Sequence, residues 1–155
     1  MNYQATVLQN CLSQSETDTE NIAEQFARTL PSHAFIALHG DLGAGKTAFV
    51  RGLARVVSPT SFVCSPTYAL VNEYHSESGR LIHFDMYRIH DEESLYMTGF
   101  YDYFDDNSEK KCIYAVEWSE NIEFALPKEY YEVEIQILPE NRRRITIQDI
   151  KRLSE

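Results

Sequence analysis

A glycine-rich segment in the first third of the chain has the residue types of a phosphate-binding loop. Residues 40 to 47 read Gly-Asp-Leu-Gly-Ala-Gly-Lys-Thr and match the pattern G-x-x-x-x-G-K-[ST]. The glycines allow the backbone to curl so that its N–H groups face an anion. Lys46 adds a positive charge for the β- and γ-phosphates of ATP, and the Thr47 hydroxyl can ligate Mg²⁺. The positions predicted to contact the nucleotide here are Asp41, Leu42, Gly43, Ala44, Gly45, Lys46, Thr47 and Ala48.

The elements on either side of this loop are those that phosphate binding requires. The apolar run from Ala34 to His39 predicts a short strand, and Lys46 to Val57 predicts a helix. The loop then joins a strand to a helix N-terminus, as in phosphate-binding loops generally. The alternative is a glycine-rich turn with a chance lysine, and these flanking elements argue against it.

Two acidic residues directly follow apolar runs that read as strands. Asp85 follows Leu81 to Phe84, and Glu117 follows Ile113 to Val116. Ligands in open α/β sheets bind at the carboxyl ends of the strands, so both carboxylates are candidates to face the loop. Such a carboxylate holds Mg²⁺ or orients the attacking water. Either acid could instead be a helix N-cap or a surface residue, and the adjoining Trp118 is interpreted as a packing residue.

Two further segments are candidates to contact the nucleotide. In Ser65-Pro66-Thr67-Tyr68, Thr67 follows the predicted loop helix, where P-loop switches place a threonine that senses the γ-phosphate. A plain proline turn is an equally open interpretation. The basic run from Arg142 to Arg144 is interpreted either as a solvated turn or as a contact to a nucleotide or an acidic partner.

The remaining pattern predicts an α/β fold with a mixed, largely parallel sheet flanked by helices. Alternating residues on both sides of Pro139 to Asn141 predict a C-terminal β-hairpin. Helices interleaved with strands favour the α/β class. The first helix is predicted to begin at a capping box in Thr17 to Glu20 and to stop at Pro31. The other predicted elements are strands at Tyr68 to Tyr74, Leu81 to Phe84, Ile113 to Val116, Glu132 to Leu138 and Arg144 to Gln148, and a helix at Glu92 to Met97.

Length and charge restrict the classes of protein to consider. The 155 residues fit one domain, 1–155, since domains run at roughly 100–200 residues. The net charge of −10 argues against strong direct binding of nucleic acid, because neutralising phosphates needs a basic surface. With no apolar run of membrane-spanning length and no basic or apolar signal segment at the N-terminus, a cytoplasmic protein with no membrane contact is expected.

Four blocks together resemble the TsaE (also called YjeE) family. They are the glycine-rich loop, Ser65-Pro66-Thr67-Tyr68, His83-Phe84-Asp85-Met86-Tyr87-Arg88 and Glu117-Trp118-Ser119-Glu120. The resemblance covers nearly the whole chain and implies a P-loop ATPase of bacterial tRNA threonylcarbamoyladenosine biosynthesis. It implies ATP and Mg²⁺ as cofactors and a TsaB–TsaD transferase complex as partner, through which tRNA is reached indirectly.

The resemblance also implies roles for individual residues. Thr47 and Glu117 would ligate Mg²⁺, and Asp85 would act near the γ-phosphate. A serine or threonine early in the first helix and an arginine near the last turn lie close to the nucleotide in this family. Thr19 and Arg143 are the best matches here. Together with the switch threonine, the residues predicted to act in catalysis are Asp85, Lys46 and Thr67.

Two other functions compete with an ATPase. A P-loop kinase of small molecules would need an acceptor site and usually an arginine-bearing lid, whereas no long basic insertion follows the loop helix. A non-hydrolysing ATP sensor would act by binding alone. The chain offers few arginines to assist hydrolysis: Arg51 and Arg55 are placed beyond the phosphate end of the helix, and Arg88 would face away from Asp85 on a continuing strand. Slow hydrolysis that depends on a partner is therefore expected.

Overall fold

One mixed sheet organises the chain. The computed structural model describes residues 2–66, 70–104 and 109–153, and within these ranges seven strands form a single sheet in the order β1-β7-β6-β2-β5-β4-β3. The strands are β1 Tyr3–Ser13, β2 His33–His39, β3 Val71–Ser76, β4 Gly79–Asp85, β5 Lys111–Glu117, β6 Glu129–Leu138 and β7 Arg142–Arg152. The helices are α1 Glu16–Thr29, α2 Lys46–Val57 and α3 Glu92–Met97, with short 3₁₀ helices at Phe100–Phe104, Ser119–Ala125 and Pro139–Asn141.

The predicted α/β class and mixed sheet are confirmed. The four central strands are parallel to one another, in the order β6-β2-β5-β4. The outer pairs β1–β7, β6–β7 and β3–β4 are antiparallel. The predicted C-terminal hairpin is the β6–β7 pair, joined by the 3₁₀ turn Pro139–Asn141. No helix in the described ranges combines the length and apolar character needed to cross a membrane.

Apolar side chains cover both faces of the sheet, because successive residues of a strand point to opposite sides. Along β2, Ile36 packs into the cluster under α1 and α2, together with Phe26 and Phe49. Its neighbours Phe35 and Ala37 belong to the cluster on the other face, under α3 and the 3₁₀ helices. Burial on both faces makes β2 a rigid base for the loop that follows it.

Helix α1 packs closely against α2, the helix that follows the loop. Gly52 makes this possible, because a Cβ at that position would lie 2.2 Å from the Glu20 carbonyl oxygen of α1. Glu20 also accepts hydrogen bonds from the guanidinium groups of Arg51 and Arg55, the first at 3.0 Å. The two helices therefore pack as one layer on the sheet.

The predicted start of α1 is wrong. The N-cap is Ser15, whose side chain accepts a hydrogen bond of 3.0 Å from the Asp18 backbone N–H. Asp18 in turn accepts from the backbone N–H of Gln14, the residue before the N-cap, at 2.9 Å, so the capping hydrogen bonds span Gln14 to Asp18 rather than Thr17 to Glu20. The predicted end is confirmed, since the helix stops at Thr29 before Pro31.

The two edge strands of the sheet, β1 and β3, differ from the predictions. β1 was not predicted, and it forms the sheet edge against β7 with most of its residues exposed. β3 begins at Val71, following Leu70 with a positive φ of 66°, and extends to Ser76. Tyr68 and Ala69, at the start of the predicted strand, lie outside the described residues.

Candidate functional site

The predicted phosphate loop lies between β2 and α2 as expected. Gly45 is the N-cap of α2 and has a φ of 108°, in the left-handed region that favours glycine. No side chain caps this helix, so none competes for the N–H groups of its first turn. These groups and the helix dipole provide a site for a phosphate group.

Lys46 is buried at the start of α2. Its Nζ donates a 2.7 Å hydrogen bond to the Gly40 carbonyl oxygen and lies 4.8 Å from the centre of the Trp118 ring. The ammonium group is thus held within the loop by a neutral carbonyl and an aromatic face. Neither partner neutralises its charge, which leaves it able to pair with a phosphate.

The two predicted carboxylates meet beside this loop. Asp85 ends β4 and Glu117 ends β5, and the two residues are directly paired in the parallel register. Both are nearly inaccessible, with 8% and 5% of their surface exposed. Leu38 at the end of β2 pairs with Glu117, so the three strand ends converge where the loop begins.

The surroundings of Asp85 disfavour its charged form. Burial raises the pKa of its carboxyl group above the ordinary value, and the neighbouring Glu117 carboxylate raises it further. A 3.0 Å hydrogen bond from the Tyr87 backbone N–H, together with the nearby charge of Lys46, opposes the shift. The net result is a carboxylate more basic than an exposed aspartate.

Glu117 has a buried partner that the sequence did not identify. His83 Nε2 lies 2.6 Å from Glu117 Oε2, and the histidine side chain is fully buried. His83 precedes Asp85 by two positions on β4, so both side chains lie on the same face of the strand. The spacing of two residues between His83 and Asp85 on a predicted strand was the sequence feature that could have placed His83 beside the site.

Asp85 and Glu117 line a cavity of about 650 Å³. Lys46 and Thr47 of the loop line the same cavity as both carboxylates, as the position of the carboxylates at strand ends had predicted. Glu16, Arg51 and Tyr87 also line it, although none had been predicted there, and Arg51 had been placed beyond the phosphate end. The predicted residues in its lining are Leu42, Gly43, Gly45, Lys46, Thr47, Ala48, Asp85 and Glu117.

A smaller cavity of about 120 Å³ lies on the other flank of the loop. Thr19 and Arg143 line it with Gly43, Ala44 and Ala48, so both family-based matches adjoin the loop. The hydroxyl of Thr19 lies 2.7 Å from Ser13 Oγ and so has a partner within the protein.

Arg143 contacts the loop backbone. Its Nε donates to the Ala44 carbonyl oxygen at 2.9 Å, and its Nη2 donates to the Gly43 carbonyl oxygen at 3.2 Å. Of the two interpretations of the basic run, a solvated turn does not describe this residue. Its neighbours Arg142 and Arg144 bond elsewhere, to Pro139 and Asn10.

Four other residues were discussed in the sequence analysis, and the structure places them as follows. Asp41 is exposed and is not in the lining of either cavity. Trp118, interpreted as a packing residue, packs on Tyr87 but also lines the larger cavity. Arg88 is not on a continuing strand, because β4 ends at Asp85 and Arg88 occupies an exposed turn. Thr67 lies outside the described residues, although Ser65 lines the cavity.

The fold and the loop together define a P-loop protein: a parallel strand leads into a glycine-rich loop and a helix, and neighbouring strand ends supply carboxylates. A family model described as threonylcarbamoyl adenosine biosynthesis protein TsaE matches residues 13–145. The chain belongs to the TsaE family, which functions in the biosynthesis of threonylcarbamoyladenosine in tRNA.

Individual relatives agree with this assignment. The chain is 41% identical over 143 residues to the tRNA threonylcarbamoyladenosine biosynthesis protein TsaE of Aquifex aeolicus, covering 91% of this chain and 96% of the relative. It is 36% identical to the Rickettsia typhi protein of the same name, covering 86% and 90%. The crystal structure of Bacillus subtilis YdiB matches with a TM-score of 0.74 at 27% identity, covering 96% of this chain and 87% of that one.

Proposed function

We propose that this protein binds and hydrolyses ATP with Mg²⁺ and thereby supports threonylcarbamoyl modification of tRNA adenosine through a TsaB–TsaD transferase complex. The observation that carries the proposal is the larger cavity, in which Lys46 and Thr47 face the buried carboxylates of Asp85 and Glu117. Phosphoryl transfer to water needs these three components: a cradle for the phosphates, oxygen ligands for a cation and a group that orients water.

Phosphate binding would fall to the loop and to Lys46. The uncapped start of α2 offers N–H donors, and the Lys46 ammonium can exchange the Gly40 carbonyl for the β- and γ-phosphates. Such an exchange replaces a neutral acceptor with an anionic one, and hydrogen bonds to charged groups are the stronger kind.

Thr47 and Glu117 would hold Mg²⁺. Hydroxyl and carboxylate oxygens are the ligands that this hard cation prefers. The two buried carboxylates also fit a cation, because the Glu117 carboxylate disfavours the charge of Asp85 when none is bound. When bound, Mg²⁺ supplies positive charge to the phosphate oxygens.

Asp85 would orient the attacking water and accept its proton. A carboxylate with a raised pKa is a better proton acceptor than an ordinary one. Thr67 would sense the γ-phosphate, since the segment leading to it reaches the cavity at Ser65. Thr19 and Arg143 would border the rest of the nucleotide, beside the smaller cavity.

Hydrolysis by the isolated protein should be slow, because the arginines that line the two cavities beside the loop, Arg51 and Arg143, have other partners. Arg51 reaches the cavity but pairs with Glu16 and Glu20 at 3.5 and 3.0 Å. Arg143 donates to loop carbonyls. An arginine aimed at the transferring phosphoryl group can raise the rate by about 10³ to 10⁵. We infer that a partner supplies that missing charge.

The same partner would bring the protein to tRNA. With a net charge of −10, the chain would repel the phosphate backbone rather than bind it. The test is ATP binding by calorimetry and steady-state hydrolysis with and without the TsaB–TsaD pair, alongside tRNA binding. Tight Mg²⁺-dependent ATP binding with slow, partner-stimulated turnover is expected. Fast turnover by the isolated chain, tight tRNA binding without partners, or no ATP binding would each contradict the proposal.

Turnover also separates this proposal from its alternatives. A non-hydrolysing sensor would bind ATP but release no phosphate with or without partners. A kinase would transfer the γ-phosphate to an added small-molecule acceptor rather than to water.

A further inference from the structure

A buried histidine, His83, contacts the carboxylate of Glu117, which is proposed to hold the cation. His83 is on β4 opposite Ala115 of β5, two positions before the Asp85–Glu117 pair. Its Nε2 lies 2.6 Å from Glu117 Oε2, and its side chain is fully buried, so the contact is shielded from water. A hydrogen bond in such a place is stronger than the same bond at the surface.

The position of the imidazole proton follows from the other ring nitrogen. Nδ1 of His83 is buried and has no hydrogen-bond partner among the residues that the structure describes. A proton on Nδ1 would leave a buried donor unsatisfied, whereas a proton on Nε2 is donated to a carboxylate. His83 is therefore the donor and Glu117 Oε2 the acceptor.

We propose that His83 is a positioning residue that fixes the Glu117 carboxylate through Oε2 and so directs Oε1 to the cation bound with the nucleotide phosphates. This inference rests on the proposed function. The hydrogen bond occupies one carboxylate oxygen and leaves the other for the cavity that Glu117 lines. Groups that orient metal-binding carboxylates in this way contribute to metal affinity without touching the metal.

The neighbouring carboxylate cannot take over this role. Asp85 is a like charge beside Glu117, and its Oδ1 already accepts the Tyr87 backbone N–H at 3.0 Å. Without His83, the Glu117 side chain would lose a buried donor and the restriction on its rotation. The consequence should appear in cation-dependent binding and not in binding of the phosphates by the loop.

The test compares two amides at position 83. In His83→Gln the terminal amide nitrogen can occupy the place of Nε2, whereas in His83→Asn it reaches only the place of Nδ1. Binding of the non-hydrolysable analogue AMP-PNP is measured by calorimetry with Mg²⁺ and with EDTA. Tyr114→Phe is the matched control for a lost buried hydrogen bond, because the Tyr114 hydroxyl donates to the Tyr103 carbonyl oxygen at 3.0 Å, nearer the start of the same strand as Glu117.

We expect His83→Asn to weaken Mg²⁺-dependent binding by about 10- to 100-fold, the range typical for loss of such a group. Binding in EDTA should stay within about threefold of wild type, a difference well below one tenfold step in affinity. His83→Gln should recover most of the loss, and Tyr114→Phe should bind like wild type under both conditions. Equal weakening with Mg²⁺ and with EDTA, or no recovery in a folded His83→Gln, would overturn the inference.

A measurement on the wild-type protein covers the case in which a variant does not fold. Nitrogen-15 NMR of the histidine rings should show the His83 proton on Nε2 and a change of its signal when AMP-PNP and Mg²⁺ are added together. A proton on Nδ1 alone would overturn the inference. If wild-type protein binds AMP-PNP no better with Mg²⁺ than with EDTA, the proposed function fails instead.

Discussion

Replacing Arg143 with alanine would remove the side-chain link between the β6–β7 hairpin and the phosphate loop. Two donors of this guanidinium bond the carbonyl oxygens of Ala44 and Gly43, at 2.9 and 3.2 Å. These residues are part of the segment whose N–H groups are proposed to cradle phosphate. The loop of the Arg143→Ala variant would then have to be ordered by the nucleotide itself.

The size of the effect follows from the two hydrogen bonds. A hydrogen bond to a charged group contributes about 1.5–3 kcal/mol net. The bond to Gly43 is the longer of the two and is exposed to water, so we count only the bond to Ala44 at full value. A loss of about 1.5–3 kcal/mol corresponds to roughly a 10- to 150-fold weaker nucleotide affinity.

Calorimetric titration with ADP measures this directly, and the neighbouring arginines provide matched controls. Arg142→Ala and Arg144→Ala make the same change of charge, but their side chains bond Pro139 and Asn10 instead of the loop. Arg143→Lys keeps the charge without the planar fork and should fall between alanine and wild type. If Arg143→Ala binds ADP no more weakly than the two controls, Arg143 does not order the loop.

Three further predictions concern the larger cavity. Lys46→Ala should abolish tight ATP binding in calorimetry, because it removes the charge beside the phosphates. Unchanged affinity would show that residues 40 to 47 are not the phosphate-binding loop. Thr47→Ala and Glu117→Ala should each weaken nucleotide binding more with Mg²⁺ than with EDTA, and equal weakening would remove that residue from the metal ligands. Asp85→Asn should retain ATP binding but lose most turnover in a phosphate-release assay, the pattern of an interaction made in the transition state. Normal turnover by this variant would return Asp85 to a structural role.

The centre of the fold could be predicted because its signals are local. The β2–loop–α2 unit combines an apolar run, a glycine-rich pattern and a helical stretch within about two dozen consecutive residues. The meeting of Asp85 and Glu117 followed from one general rule, that carboxyl ends of parallel strands lie at the same edge. The roles of these residues remain predictions until binding and turnover are measured.

The parts that escaped prediction depend on contacts between distant segments. Within the described ranges, β1 pairs only with β7 and lies at the sheet edge, so Val7, Leu8 and Leu12 remain exposed and give no simple alternation. An irregularity of register between Val7 and Gln9 disturbs the period further. Similarly, the bonds from Arg143 join residues about a hundred positions apart, which no local pattern reveals.

The buried carboxylate of Asp85, at the end of β4, does not stabilise this fold when it is charged, which is a physical reason to regard it as functional. Because the folded-state pKa of Asp85 is raised, its ionisation is less favourable in the folded protein than in the unfolded chain. This cost is absent below the ordinary pKa of an aspartate and develops as the pH rises toward the raised value. The folded site therefore disfavours the charged form of Asp85 when no cation is bound. A sheet that keeps this carboxylate next to Glu117, a lysine and an uncapped helix start is consistent with the binding of phosphate and a cation that we propose.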